Sequence, residues 1–222
     1  MQAIDAVLLD MDGTILTSIQ AAERVWAAWA AGRGLDVQAF LPTIHGVQSV
    51  ETIRRLGLPG VDPEQEAAAI TQAEIEDVAG IEAIAGAAAF LAALSADRWA
   101  IVTSAPRALA LRRIAAAGLP APPLLIAAED VARSKPAPDG FQLAAERLGT
   151  TADRCLVLED SSAGVTAAES AGAMVLVVTA THHQPMDVPH PAIADYGELV
   201  LEPSEDGIAI RHAAQAWMLR GL

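Results

Sequence analysis

Two carboxylates two residues apart, Asp10 and Asp12, follow directly on the apolar run Ala6-Val7-Leu8-Leu9. A short apolar run closed by a glycine, here Gly13, reads as a buried strand ending in a sharp turn. Carboxylates at the end of a buried strand are costly to desolvate unless something pairs with them. A divalent cation is a natural partner, because hard cations prefer oxygen ligands. So held, one carboxylate can attack an electrophile while its neighbour carries protons. The competing reading is an acidic turn that caps a helix.

Elements elsewhere must bring partners to this pair. Apolar runs at 99–103, 124–127, 155–158 and 174–178 read as further buried strands. Helical patterns at 87–94, 108–117, 138–148 and 164–171 separate them. Strands alternating with helices imply βαβ units, hence an α/β fold: a Rossmann-like parallel sheet with helices on both faces. Ligands in such sheets bind beyond the carboxyl ends of the strands. The strand ends carry Asp10 and Asp12, then Thr103 and Ser104, then Lys135 a few residues after the third, then Glu159 and Asp160. One sheet edge therefore gathers a nucleophile, a proton carrier, a hydroxyl, an ammonium and two more carboxylates. Phosphoryl transfer needs such a set, with a metal and a lysine against the charge on the phosphoryl oxygens.

Residues 16–81 break the alternation. Helical periodicity covers 18–31, 47–56 and 63–78, with no convincing strand between. We expect an inserted all-helical domain at 16–81, with linkers near 15–18 and 79–86, and a core domain from 1–15 and 82–222. In the tail, 182–185 and 189–191 read as loops, 199–201 as a late strand and 208–219 as a terminal helix.

A net charge of −14 repels nucleic acid and anionic membrane surfaces. It also repels a phosphorylated substrate unless local cations reverse the sign inside a cleft. The single cysteine, Cys155, precludes an intrachain disulfide and fits a reducing compartment. No apolar run approaches a membrane span, and the first residues lack a basic region followed by a signal core. A cytoplasmic monomer without nucleic-acid or membrane partners is the expectation.

Asp10-Met11-Asp12-Gly13-Thr14, Val102-Thr103-Ser104, Ser134-Lys135-Pro136-Ala137-Pro138-Asp139 and Leu158-Glu159-Asp160-Ser161-Ser162-Ala163-Gly164 resemble, in order and spacing, the four motifs of the haloacid dehalogenase superfamily. The helical insertion resembles that superfamily's mobile cap. His45-Gly46-Val47-Gln48-Ser49 and Ala22-Glu23-Arg24-Val25-Trp26 are similar to segments of its sugar and polyol phosphatases. The resemblance implies a phosphatase of small sugar or polyol phosphates with Asp10 as nucleophile and Asp12 as acid and base. Ser104 and neighbouring backbone N–H groups, that of Ala105 among them, would hold the phosphoryl oxygens, and Lys135 would neutralise them. Mg²⁺ would be bound by the Asp10 side chain, the Asp12 carbonyl and Asp160, with Glu159 ligating directly or through water. His45, Gly46 and Gln48 would meet the substrate.

Bland readings stand beside these roles. Ser104 could cap the next helix, Lys135 could be a solvated lysine, and Glu159-Asp160 could be dipole-favoured carboxylates. His45 and Gln48 could be surface residues, and Trp26 and Trp29 core rather than platform. His182, His183 and His190 lack metal-ligand spacing and read as loop residues. The chain also departs from the resemblance. Ser134 stands where many relatives have Gly, Thr17-Ser18 where many have Asp-Ser, and Gln48 where many have Arg. A neutral amide cannot clamp a second anion as a guanidinium can, which favours a neutral sugar body. A β-phosphoglucomutase-like transferase is the alternative, weakened by Ala22 where mutases carry a cap histidine. A dehalogenase is disfavoured by Asp12. A non-catalytic phosphosugar-binding relative is the last alternative.

Overall fold

The computed structural model describes residues 4–44, 48–182, 186, 188–202, 207–214 and 218–219. In chain order the elements are β1 (Ala6–Leu9), β2 (Leu16–Thr17), α1 (Ile19–Gly32), α2 (Val37–Phe40), α3 (Ser49–Leu56), α4 (Pro63–Glu76), β3 (Glu82–Ala83), α5 (Ala87–Ala93), β4 (Trp99–Val102), α6 (Arg107–Ala116), β5 (Leu125–Ile126), α7 (Asp139–Arg147), β6 (Cys155–Glu159), α8 (Ser162–Ala171), β7 (Met174–Val178), β8 (Ala192–Ile193), β9 (Leu199–Glu202), β10 (Ala209–His212) and β11 (Met218–Leu219). Six strands form one sheet in the order β5-β4-β1-β6-β7-β8, and every neighbouring pair is parallel. The expected α/β sheet is thus present, with one more strand, β8, than the apolar runs announce. Two residues are too few to leave a periodicity.

Strand β1 lies between β4 and β6, with Leu9 level with Ile101 and Leu158. Its successive side chains point to opposite faces, as a pleated strand requires. Val7 and Leu9 pack with Phe90 and Leu91 of α5 and Ile114 of α6. Ala6 and Leu8 pack with Phe141 of α7 and Val165 of α8. Burial on both faces explains the unbroken apolar runs.

Helices α1 to α4 add no strand to this sheet. Trp26, Phe40, Ile53 and Ile70 make a separate apolar cluster among them. Trp26 and Trp29 each lie within 6 Å of the Phe40 ring, so Trp26, which is buried, is packing in this cluster. The chain leaves for these helices through β2 and returns through β3, and the two pair antiparallel, Leu16 opposite Ala83.

The tail overturns one expectation. No terminal helix spans 208–219: β10 pairs antiparallel with both β9 and β11. Ile208 also bridges Ile4. Strand pairing wins over the helical reading: Ala209 and Ile210 are both buried, and Arg211 reaches Glu202 across the strand pair. The late strand expected at 199–201 is β9.

Asp5 anchors the start of β1 to the residue before β6. Its backbone N–H donates to the Arg154 carbonyl at 2.8 Å, and its carboxylate takes hydrogen bonds from Arg154 and from Thr150. Arg154 holds the Asp5 carboxyl below the usual aspartate value. A carboxyl with a lowered folded pKa stabilises the fold above its unfolded value and loses that contribution as pH falls through the folded one. We predict that Asp5→Asn lowers the unfolding free energy measured in urea at pH 7 by about 1 kcal/mol or less, since the pair is partly exposed. The gap to the unsubstituted protein closes as the pH falls below 3.8. A gap that persists at lower pH shows that the charge is not the cause.

Candidate active site

The Lys135 ammonium, 9% exposed, sits among the strand ends and binds three acceptors. It donates to Asp10 Oδ1, to Glu159 Oε1 at 2.7 Å and to the Val102 carbonyl at 2.9 Å. The Phe141 ring lies 5.1 Å below it. Lys135 is therefore no solvated surface lysine. Burial works against its charge, but Asp10 and Glu159 outweigh burial and hold the ammonium above the ordinary lysine value. Glu159 is fully buried at the end of β6. Its Oε2 accepts from the backbone N–H groups of Asp160 and Ser161 at 2.8 Å and from the Ser161 hydroxyl. Ser161 in turn caps α8, accepting from the Gly164 N–H. Glu159 thus braces the turn that carries Asp160.

Asp160 faces Asp10. The Thr14 hydroxyl lies 3.3 Å from a carboxylate oxygen of each and can serve either. Burial pushes both carboxyls above the usual aspartate value, and their neighbours' negative charge adds to the push. Lys135 opposes the rise in both. Carboxylate oxygens of Asp10, Glu159 and Asp160 can all lie within 4.8 Å of one another. Three carboxylates against one ammonium leave this cluster short of positive charge. An all-oxygen donor set with such a deficit fits a hard divalent cation.

Two glycines permit this crowding. A Cβ on Gly13 would lie 2.0 Å from Asp160 Oδ2, and Gly13 has φ +87°, where other residues are strained. A Cβ on Gly164 would lie 1.6 Å from Glu159 Oε1.

A cleft of about 270 Å³, counting its open mouth, adjoins the cluster and is lined by Thr103, Ser104, Ser134, Lys135 and Phe141. Ser104 lies on the loop after β4 and is not the N-cap of α6, a position held by Pro106. The Thr103 hydroxyl accepts from the Ala105 N–H at 3.1 Å and shapes the same loop. Gln48, just before α3, donates from its amide to the Ser134 hydroxyl beside Lys135. His45 and Gly46 lie outside the described residues. The Asp12 carboxylate is not in the three-carboxylate cluster; it accepts from Ser18 at 2.5 Å and from Arg113 at 2.8 Å.

Two residues at the site were not singled out by the spacing of the sequence. His182 Nε2 lies 2.6 Å from the Asp160 carbonyl, and since a carbonyl only accepts, that nitrogen carries the proton. Tyr196 is buried and donates its hydroxyl to the Thr14 carbonyl. Its backbone N–H donates to Ala85, so it ties the Asp10 loop to the returning linker. A lone histidine in a loop and a lone tyrosine before a late strand carry no pattern; the one available cue for His182 was its place just after a strand.

The glycine contacts make a stability prediction. Gly164→Ala forces the Glu159 carboxylate off its partners and costs about 1–3 kcal/mol, as overpacking does. Gly32→Ala, helical with nothing within 4 Å, is neutral or stabilising by up to about 1 kcal/mol. Thermal melts of the two variants read the contrast; equal shifts contradict the packing described.

Known proteins carry the same pattern. Residues 4–172 match the family model of haloacid dehalogenase-like hydrolases. Hexitol phosphatase A of Escherichia coli (strain K12) is 39% identical over 186 residues, covering 82% of this chain and 84% of that protein. Fructose-1-phosphate phosphatase YqaB of the same organism is 28% identical over 179 residues, covering 75% and 92%. The crystal structure of CbbY from Rhodobacter sphaeroides in complex with phosphate superposes with a TM-score of 0.72 at 25% identity, covering 88% of this chain and 96% of that one. The chain therefore belongs to the haloacid dehalogenase-like hydrolase family, and within it stands with phosphatases.

Proposed function

We propose that this enzyme is a Mg²⁺-dependent phosphatase of small sugar or polyol phosphates, acting through an aspartyl-phosphate on Asp10. The observation that carries the reading is the Lys135 ammonium shared by Asp10 and Glu159 beside Asp160 at the mouth of a cleft. Asp10 attacks phosphorus in line with the leaving alkoxide, and the P–O bond to the sugar breaks. Ser104 and the backbone N–H groups beside it hold the phosphoryl oxygens, that of Ala105 on leaving the Thr103 hydroxyl, and Lys135 balances their charge. Asp12 gives a proton to the leaving alkoxide. It then takes one from the water that attacks the phosphorylated Asp10 and restores the carboxylate. Such proton transfers are typically worth about 10²–10⁴-fold. Asp10, Asp160 and the Asp12 carbonyl would hold the Mg²⁺, with Glu159 ligating directly or through water. When bound, the ion supplies positive charge against the phosphoryl oxygens.

Residues 16–81 act in this reading as a cap domain that closes over the substrate and excludes water. Gln48, His45 and Gly46 meet the sugar body. The Gln48–Ser134 hydrogen bond supports this, because it spans from the inserted segment to the residue next to Lys135. A neutral amide there suits an uncharged polyol better than a second phosphate.

The test is phosphate release from a panel of hexose, hexitol, pentose, glycerol and nucleotide monophosphates with Mg²⁺. Release from sugar or polyol esters is expected, with EDTA abolishing it and Mg²⁺ restoring it. Asp10→Asn removes the nucleophile and should lower kcat by about 10³-fold or more. No release across the panel overturns the reading.

A further inference from the structure

The proposed acid and base is held by a buried ion relay that ends on the inserted helices. Asp12 Oδ1 accepts from the Ser18 hydroxyl and Oδ2 from one terminal nitrogen of Arg113, at 2.8 Å. The other terminal nitrogen of Arg113 donates to Glu74 Oε1 at 3.1 Å. The side chains of Arg113 and Glu74 are only 8% and 6% exposed. Next along α6, Arg112 donates to the Ile75 carbonyl at 3.2 Å, so α4 and α6 meet through two consecutive arginines. The Arg113 Nε–H is buried without a hydrogen-bond partner among the described residues.

These contacts have an energetic consequence. A buried guanidinium left with one partner too few is strongly destabilising. Asp12 therefore cannot turn toward a leaving group without orphaning part of Arg113, unless Arg113 and its Glu74 anchor shift together. An Nε–H already unsatisfied leaves the relay short of its full complement of hydrogen bonds. A carboxylate bonded on one oxygen by a hydroxyl and on the other by a guanidinium is held to its present orientation and must give up those bonds to turn toward an alkoxide.

Resting on the phosphatase reading above, we propose that Arg113 is a positioning residue that, anchored by Glu74, restrains Asp12 from its proton-transfer position until helices α1 to α4 move. Arg113 touches no reacting atom and acts through Asp12 alone. The restraint lowers the fraction of enzyme in which Asp12 is competent, and with it the rate on substrates that need the proton.

Leaving-group dependence tests this. p-Nitrophenyl phosphate departs with little protonation, whereas glycerol phosphate releases an alkoxide that needs a proton. The kcat ratio of glycerol phosphate to p-nitrophenyl phosphate is measured with Mg²⁺ for the unsubstituted enzyme, Arg113→Gln and Glu74→Gln. Both substitutions are expected to raise the ratio, Arg113→Gln by at least about threefold. In an Asp12→Asn background the same substitutions should leave the ratio unchanged, because their effect runs through that carboxylate. Retained p-nitrophenyl phosphatase activity with an unchanged or lower ratio overturns the restraint and leaves the phosphatase reading intact. A rise that persists in the Asp12→Asn background also overturns it. Should Arg113→Gln fail to fold, Glu74→Gln carries the test, and an unchanged ratio there is decisive against the proposal. Where glycerol phosphate is not cleaved, the best alkyl ester of the sugar and polyol panel takes its place in the ratio, and release from no ester of that panel overturns both readings at once.

Discussion

The arrangement depends on one buried cation. Lys135 reaches the ends of β1, β4 and β6 at once, through Asp10, the Val102 carbonyl and Glu159. Those three strands are adjacent at the centre of the sheet. Without the ammonium, two buried carboxylates would face each other at close range in a medium that screens charge poorly. With it, each has a partner, and Glu159 keeps its second oxygen for the turn that carries Asp160. The same contacts explain why Asp10 and Asp160 stay above the ordinary aspartate value despite Lys135. One positive charge is shared among three carboxylates, and burial works against all of them. The cluster could therefore hold a further cation.

The backbone around this charge is arranged for close approach. Gly13 turns the chain at positive φ and lets Asp160 come within a distance that no side chain at position 13 would tolerate. Gly164, in the first turn of α8, leaves the same kind of room for the Glu159 carboxylate without a positive φ. Tyr196 then fixes the Asp10 loop from below through Thr14, and packs against the Phe90 ring of α5 at 5.1 Å. Geometry at the site is thus set by a short chain of contacts from a late 3₁₀ turn to the first strand. Groups held to within a fraction of an ångström by packed elements suit chemistry that requires an in-line approach.

Much of this was legible in the sequence because its signals are local. Apolar runs buried on both faces mark β1, β4, β6 and β7, and the parallel topology follows from the helices between them. A parallel sheet brings its strand ends to one edge, so Asp10, Lys135, Glu159 and Asp160 could be grouped before any coordinates. What escaped was either short or non-local. The two-residue strands β2, β3, β5 and β8 carry little or no period, though the apolar run at 124–127 did mark β5. The tail was misread as helix because 208–219 offers apolar residues at spacings compatible with either element. Strand pairing with β9 and the Ile4–Ile208 bridge decide it, and Ile4 lies far outside the window that periodicity reads. Arg113 sits 101 residues from Asp12, and nothing in the helix that holds it marks it as different from Arg112.

Net charge illustrates how far a whole-chain quantity reaches. At −14 the protein repels polyanions, whose charges extend over many screening lengths and sample the summed field. A small phosphate ester is a different case. At physiological ionic strength charges are screened beyond about 8 Å, so such a ligand inside the cleft responds to the groups that line it and little else. Those groups include Lys135, the hydroxyls of Thr103, Ser104 and Ser134, and the guanidinium of Arg133, which pairs with Asp139. Asp10, Glu159 and Asp160 lie within the same range of Lys135, so an anionic ligand there requires the further positive charge that a bound Mg²⁺ would supply. The composition disfavours polyanions on one length scale, while the groups at the site act on a shorter one, where each donor's direction counts for more than the sum of charges.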